Sequence, residues 1–110
     1  IIKKNFKMSY NPLPKSLTIK NSSIHGLGLF ATEDISTGTN LGISHARLTN
    51  GEMTRTPLGG FYNHSEEPNC EKREINFNYD KSIECEFELV SLVDIKKGEE
   101  ITVEYTLYEI

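Results

Sequence analysis

Hydrophobic and polar positions alternate with a period of two along much of this chain. In IECEFEL, residues 83–89, Ile83, Cys85, Phe87 and Leu89 fall on one side and Glu84, Glu86 and Glu88 on the other, which is the clearest strand signal in the sequence. Residues 16–22 set Leu17 and Ile19 against Thr18 and Lys20, the pattern of a half-buried strand. GLGLFA follows at residues 26–31, then a turn from Ser36 to Gly38 and a strand over residues 39–43. After a KKGEE turn, Ile101, Val103 and Tyr105 alternate with Thr102 and Glu104 in a last strand. Between His45 and Gly60 the pattern weakens into a loop, with Asn50-Gly51 and Pro57 as breakers. No amphipathic helix of ten residues and no internal repeat emerges, so the predicted class is mainly β.

Composition narrows this picture. At 110 residues, with 36% hydrophobic and 25% charged residues, the chain is predicted to form one domain around a modest core. Residues 1–15 lack the apolar segment of a secretory signal and are expected to form a loose arm, in part tag-derived or disordered, ahead of a domain over residues 16–110. No apolar run approaches the roughly 18 residues of a membrane span, and no membrane association is expected. Cys70 and Cys85 show no framework spacing, which predicts free thiols and an intracellular, cytoplasmic or nuclear, setting. The formal glycosylation sequons at Asn21 and Asn63 then carry no weight.

Charge is unevenly distributed. Residues 1–65 hold seven Lys/Arg and three Asp/Glu, a net +4, while residues 66–110 hold five and thirteen, a net −8. The acidic half should repel nucleic acid and favour a basic, lysine-containing peptide or protein.

Candidate chemistry is sparse taken residue by residue. The glycines of HGLG, Gly26 and Gly28, mark a tight turn or bulge, or a place where backbone approaches a ligand. His25, His45, His64, Cys70 and Cys85 have none of the paired spacings of structural zinc sites, so no metal is expected. Asn63, His64 and Ser65 are adjacent and followed by Pro68-Asn69. They cannot be a catalytic triad among themselves, because triads are assembled from separate elements. Taken singly, Tyr105 reads as a strand tyrosine with its hydroxyl at the surface and Asn63 as a turn former.

Order and spacing change the reading. GLGLFA (Gly26, Gly28, Leu29, Phe30, Ala31), FYNHSEEPN (Phe61, Asn63, His64, Ser65, Pro68, Asn69) and GEEITVEY (Gly98, Glu99, Glu100, Ile101, Val103, Tyr105) occur in that order. Together they resemble the SET-domain family of protein lysine methyltransferases, over about residues 16–105. ATEDISTGT, residues 31–39, is similar to the family's connection between its first strands.

The resemblance implies a fold of small, mostly antiparallel sheets closed by a C-terminal pseudoknot. It implies S-adenosyl-L-methionine as cofactor, held by Asn63, the backbone of His64, the amides around Gly26, Leu27, Gly28 and Leu29, and Tyr105. Tyr105 would be the catalytic residue, and Asn63-His64-Ser65 would form a polar knot core beside the cofactor. Where many members carry a Cys after N-H-S this chain has Glu66, so the zinc-binding modules that flank the domain in those members are not expected. A lid over the lysine channel is then expected from Leu107, Tyr108, a second subunit in a homodimer, or a partner. The alternative is a catalytically inactive SET-like binding or scaffold module.

Overall fold

A computed structural model describes residues 13–75 and 81–105. The strands are β1 (Leu17–Asn21), β2 (Leu27–Ala31), β3 (Asn40–Leu48), β4 (Met53–Arg55), β5 (Asn63–His64), β6 (Cys70–Ile75), β7 (Ile83–Ser91) and β8 (Thr102–Val103). One helical turn, α1 (Pro57–Gly60), lies between β4 and β5. β1 and β2 form an antiparallel pair, and the other six strands form a sheet in the order β4-β3-β7-β6-β8-β5. This is the mainly β architecture that the alternation predicts.

Strands follow the alternation where one face is buried. Cys85, Phe87 and Leu89 of β7 are buried while Glu84, Glu86 and Glu88 are not, and β7 pairs antiparallel with β3 on one side and β6 on the other. The Lys72 ammonium and the Arg47 guanidinium lie over the Phe87 ring at 5.1 and 5.5 Å, as cation–π contacts. The core gathers Leu29, Leu41, Leu58, Leu89, Ile95 and Ile101 between the two sheets.

Three regions depart from the sequence reading. The predicted 45–60 loop is instead the end of β3, the β3–β4 hairpin and α1. Asn50-Gly51 serves as the hairpin turn, with Asn50 Oδ1 accepting from Glu52 N at 2.9 Å and Leu48 O from Gly51 N at 2.9 Å. Thr56 caps α1 and Pro57 stands at its start, where its missing N–H costs nothing. β6, of sequence CEKREI, has no strong strand signal and exists because β7 and β8 bond to its two sides. The last predicted strand is confined to Thr102–Val103, and Thr102 is as buried as its neighbours instead of facing solvent. At the N-terminal side, Leu13 packs on the core and Lys15 O accepts from Thr32 Oγ1 at 2.7 Å.

An internal repeat is present after all. Asp34-Ile35-Ser36-Thr37-Gly38 recurs sixty positions later as Asp94-Ile95-Lys96-Lys97-Gly98, and the two copies cross antiparallel. Ile35 and Ile95 exchange backbone hydrogen bonds of 2.7 and 2.8 Å. Asp94 Oδ1 accepts from Thr37 N at 2.9 Å, and Asp34 Oδ1 from Lys97 N at 2.8 Å. Gly38 N donates to Ser91 O at 2.9 Å and Gly98 N to Ala31 O at 2.8 Å. Both glycines have positive φ, +82° and +92°, where a Cβ would be strained. Three identical positions in five are a weak signal when the residues between them differ.

Past this crossing, β8 inserts between β5 and β6, which are consecutive in the chain, and runs parallel to both. The connection between β5 and β6 is tied to it. Asn69 Nδ2 donates to Glu100 O at 2.8 Å, Asn69 Oδ1 accepts from Thr102 N at 2.9 Å, and Ser65 N donates to Val103 O at 3.2 Å. Side-chain bonds at this threaded junction complete the backbone ladder of a strand pair only two residues long, which is the dedicated polar crossing expected of a pseudoknot.

Candidate functional site

The site assembles where β2, β5 and the approach to β8 converge. Ile101 N donates to Leu29 O at 2.8 Å and Ala31 N to Glu99 O at 2.9 Å, so β2 lies along residues 99–101. Asn63, which is 7% exposed, directs Nδ2 into a cluster of acceptors. These are Glu100 Oε2 at 2.7 Å, Ser22 Oγ at 3.1 Å, His25 O at 3.2 Å and Leu27 O at 3.3 Å. The bond to the carboxylate is charge-assisted and the strongest of the set. A Cβ at Gly28 would displace the Glu100 carboxylate, so the glycine leaves that carboxylate in place to meet Asn63 and Ser22.

His64 and Tyr105 form the second half. Tyr105 N donates to His64 Nδ1 at 2.9 Å. An accepting Nδ1 places the proton of the neutral ring on Nε2. The two rings pack at 5.2 Å between centroids, and Tyr105 also meets the Tyr62 ring edge-on at 6.1 Å. Tyr105 Oη donates to the Tyr62 carbonyl at 2.9 Å. Tyr105 itself is 41% exposed, so this hydroxyl sits at a surface that a second molecule can reach while its proton is already committed.

All seven residues singled out from the sequence lie in this region, in two roles. Gly26 and Leu27 are exposed at the loop tip, Gly28 and Leu29 are buried beneath it, and Asn63 links that loop to the segment leading to Tyr105. The carbonyls of His25, Gly26 and Leu27 each accept an internal hydrogen bond. Two contributors were missed. Glu100 was visible as part of the GEE stretch, but its role as acceptor for Asn63 depends on the crossing. Ser22 carries no sequence signal at all.

The remaining titratable candidates do other work. Cys70 and Cys85 are buried free thiols, and burial pushes the Cys70 thiol up to about 12. Burial and then the Glu74 carboxylate raise Cys85. Both therefore stay protonated at neutral pH, which makes them core residues and not nucleophiles. Among the described residues no group of three or more His, Cys, Asp and Glu is placed to hold a metal ion. No helix among them is long and apolar enough to cross a membrane. Leu107 and Tyr108, expected to contribute a lid, lie outside the described residues. The acidic half places Glu84, Glu86 and Glu88 on the outer face of β7, with the exposed pairs Arg47–Glu84 (3.9 Å) and Arg73–Glu71 (2.8 Å) beside them. Exposed pairs of this kind add little stability.

Comparison with known proteins gives the same picture. The chain matches the family described as SET domain over residues 46–106. No curated protein sequence matches it. Among solved structures, a Plasmodium falciparum protein described as a candidate histone methyltransferase is similar with a TM-score of 0.70 and 23% identity, covering 86% of this chain and 96% of that one. Chaetomium thermophilum Polycomb Repressive Complex 2, in an autoinhibited conformation bound to S-adenosylmethionine, is similar with a TM-score of 0.69 and 20% identity over 83% of this chain. A humanized mutant of that complex with a bound inhibitor gives 0.68 and 21%. The match covers 15% of the chain in each form of the complex, so the likeness concerns one small part of that protein. At these identities the likeness speaks to the fold.

Proposed function

Because this chain belongs to the SET-domain family, we propose that it is an S-adenosylmethionine-dependent methyltransferase acting on lysine side chains of a basic protein or peptide. The observation that carries the reading is the joining of three separate sequence motifs by one residue: Asn63 holds the 25–27 loop and Glu100 together, while its neighbour His64 holds Tyr105.

The residues around Gly26 to Leu29, with Asn63 and His64, are suited to the cofactor. The loop is exposed at its tip, and its position is fixed by part-buried polar bonds from Asn63. When bound, S-adenosylmethionine supplies a methyl group on a positively charged sulfur. Tyr105 does the positioning. Its hydroxyl, which donates to Tyr62 O, would stand beside the substrate amine and the methyl group and orient the two, with weak C–H···O contact to the methyl. Packing against Tyr62 and His64 fixes the ring. A lysine amine must be neutral to attack, and its free pKa is about 10.4. Enclosure in an apolar channel would disfavour the charged form and lower that value. Alignment of this kind is worth roughly 7 to 11 kcal/mol in favourable cases.

The test pairs binding with transfer. S-adenosylmethionine is titrated calorimetrically into the full chain, and transfer of a labelled methyl group to histone is followed for the parent and for Tyr105→Phe. The expected result is one-to-one binding by both, with transfer reduced about a hundredfold or more in Tyr105→Phe. A folded parent that neither binds nor transfers would leave the binding or scaffold module as the reading.

A further inference from the structure

Ser22, in the connection between β1 and β2, touches both side chains at the centre of the polar cluster, Asn63 and Glu100. Its Oγ lies 2.8 Å from both carboxylate oxygens of Glu100, 3.1 Å from Asn63 Nδ2, 3.0 Å from the amide of Ile24 and 3.5 Å from that of His25. A hydroxyl has one proton and two lone pairs. The proton goes to the carboxylate, and the lone pairs receive Asn63 and Ile24, so the hydroxyl is fully used. The backbone of the same residue closes the loop, with Ser22 N donating to Gly26 O at 2.7 Å.

Burial does not hold this loop. Residues 23–27 are all exposed, including Ile24 at 50% and Leu27 at 48%. Its shape therefore rests on hydrogen bonds, and those bonds converge on Ser22, Asn63 and Glu100. Glu100 reaches the hydroxyl because Gly28 leaves room for its carboxylate.

We infer that Ser22 is a positioning residue that shapes the 24–28 loop for S-adenosylmethionine, an assignment that rests on the function proposed above. It acts through the loop and through Glu100 and takes no part in the transfer itself. Its removal should thus appear in cofactor affinity and in loop order, and leave turnover at saturating cofactor near the parent value.

The test uses the full chain as parent, Ser22→Ala and Ser22→Thr. S-adenosylmethionine affinity is measured by calorimetry, cofactor KM and kcat by labelled-methyl transfer to histone, and backbone hydrogen exchange in the cofactor-free protein. Ser22→Ala should weaken affinity and raise cofactor KM by about tenfold, as for loss of a hydrogen bond to a charged group, with kcat within twofold. It should also speed exchange of the amides from Ile24 to Gly28 while β7 exchanges as in the parent. Ser22→Thr, which keeps the hydroxyl, should restore both. The assignment is overturned if Ser22→Ala stays within twofold of the parent in affinity and loop exchange, or if exchange rises equally across β7. A parent that does not bind S-adenosylmethionine would sink the functional reading instead, and loop exchange alone would then decide whether Ser22 orders the loop.

Discussion

The crossing at Ile35 and Ile95 and the crossing at Asn63 and Glu100 share one C-terminal segment but are built from different materials. The first is made of two copies of D-I-x-x-G, each supplying the same backbone bonds and the same aspartate cap to the other. The second has no such symmetry. The position after Thr39 in the first copy is Asn40, exposed, with Oδ1 accepting from Gly42 N and Nδ2 donating to Glu88. The corresponding position in the second copy is Glu100, at the centre of the polar cluster. Leu41 and Ile101, one step further, are both buried. Where the two copies solve the same geometric problem they keep the same residues. The candidate site begins at the position where they part.

The largest effects should come from the apolar residues beneath each crossing. Ile95→Ala and Ile101→Ala each remove a fully buried side chain and should cost about 2 to 5 kcal/mol in denaturant unfolding. Only Ile101→Ala should also weaken S-adenosylmethionine binding, because the cavity it leaves opens next to Glu100 and at the backbone pairing with β2. Equal losses of affinity in the two variants would erase the distinction between a structural and a functional crossing.

Asn63→Ala is expected to be milder in stability and severe in binding. It leaves the Glu100 carboxylate and two carbonyls short of a donor, at a cost of about 1 to 3 kcal/mol. Calorimetry should then detect no S-adenosylmethionine binding by a chain that still unfolds cooperatively. Retained binding would mean that the loop keeps its shape without this tie.

The smallest effect sharpens the symmetric crossing. The amide and then the hydroxyl of Thr37 hold the Asp94 carboxyl below the usual carboxylate range. A carboxyl lowered in the folded state contributes stability that is present above its ordinary pKa, about 3.9, and is lost as pH falls through the lowered folded value. Urea midpoints measured from pH 5 downward should therefore fall less steeply in Asp94→Asn than in the parent. Parallel curves would show that the cap is too solvated to matter.

Much of this was legible in the sequence because it is local. Alternation in residues 83–89 predicted β7, since a strand with one buried face must place apolar residues at every second position. The three motifs named the loop, Asn63, His64 and Tyr105 without any coordinates. Asn50-Gly51 breaks the strand pattern because it is the turn of the β3–β4 hairpin, a role its residue types favour. The crossing repeat was also present in plain letters, carried by aspartate, isoleucine and glycine at fixed intervals.

What the sequence determined by itself was therefore the mainly β class, the main strand faces and the residue types of the site, because these follow from side-chain period and turn chemistry within a few positions. Tertiary structure alone decided that CEKREI would be a strand, that β8 would enter between β5 and β6, and that Ser22 would meet Glu100. Those outcomes depend on which distant backbone group a given donor or acceptor finds. The bond between Ser22 and Glu100 closes a separation of 78 residues, and no local pattern encodes such a meeting.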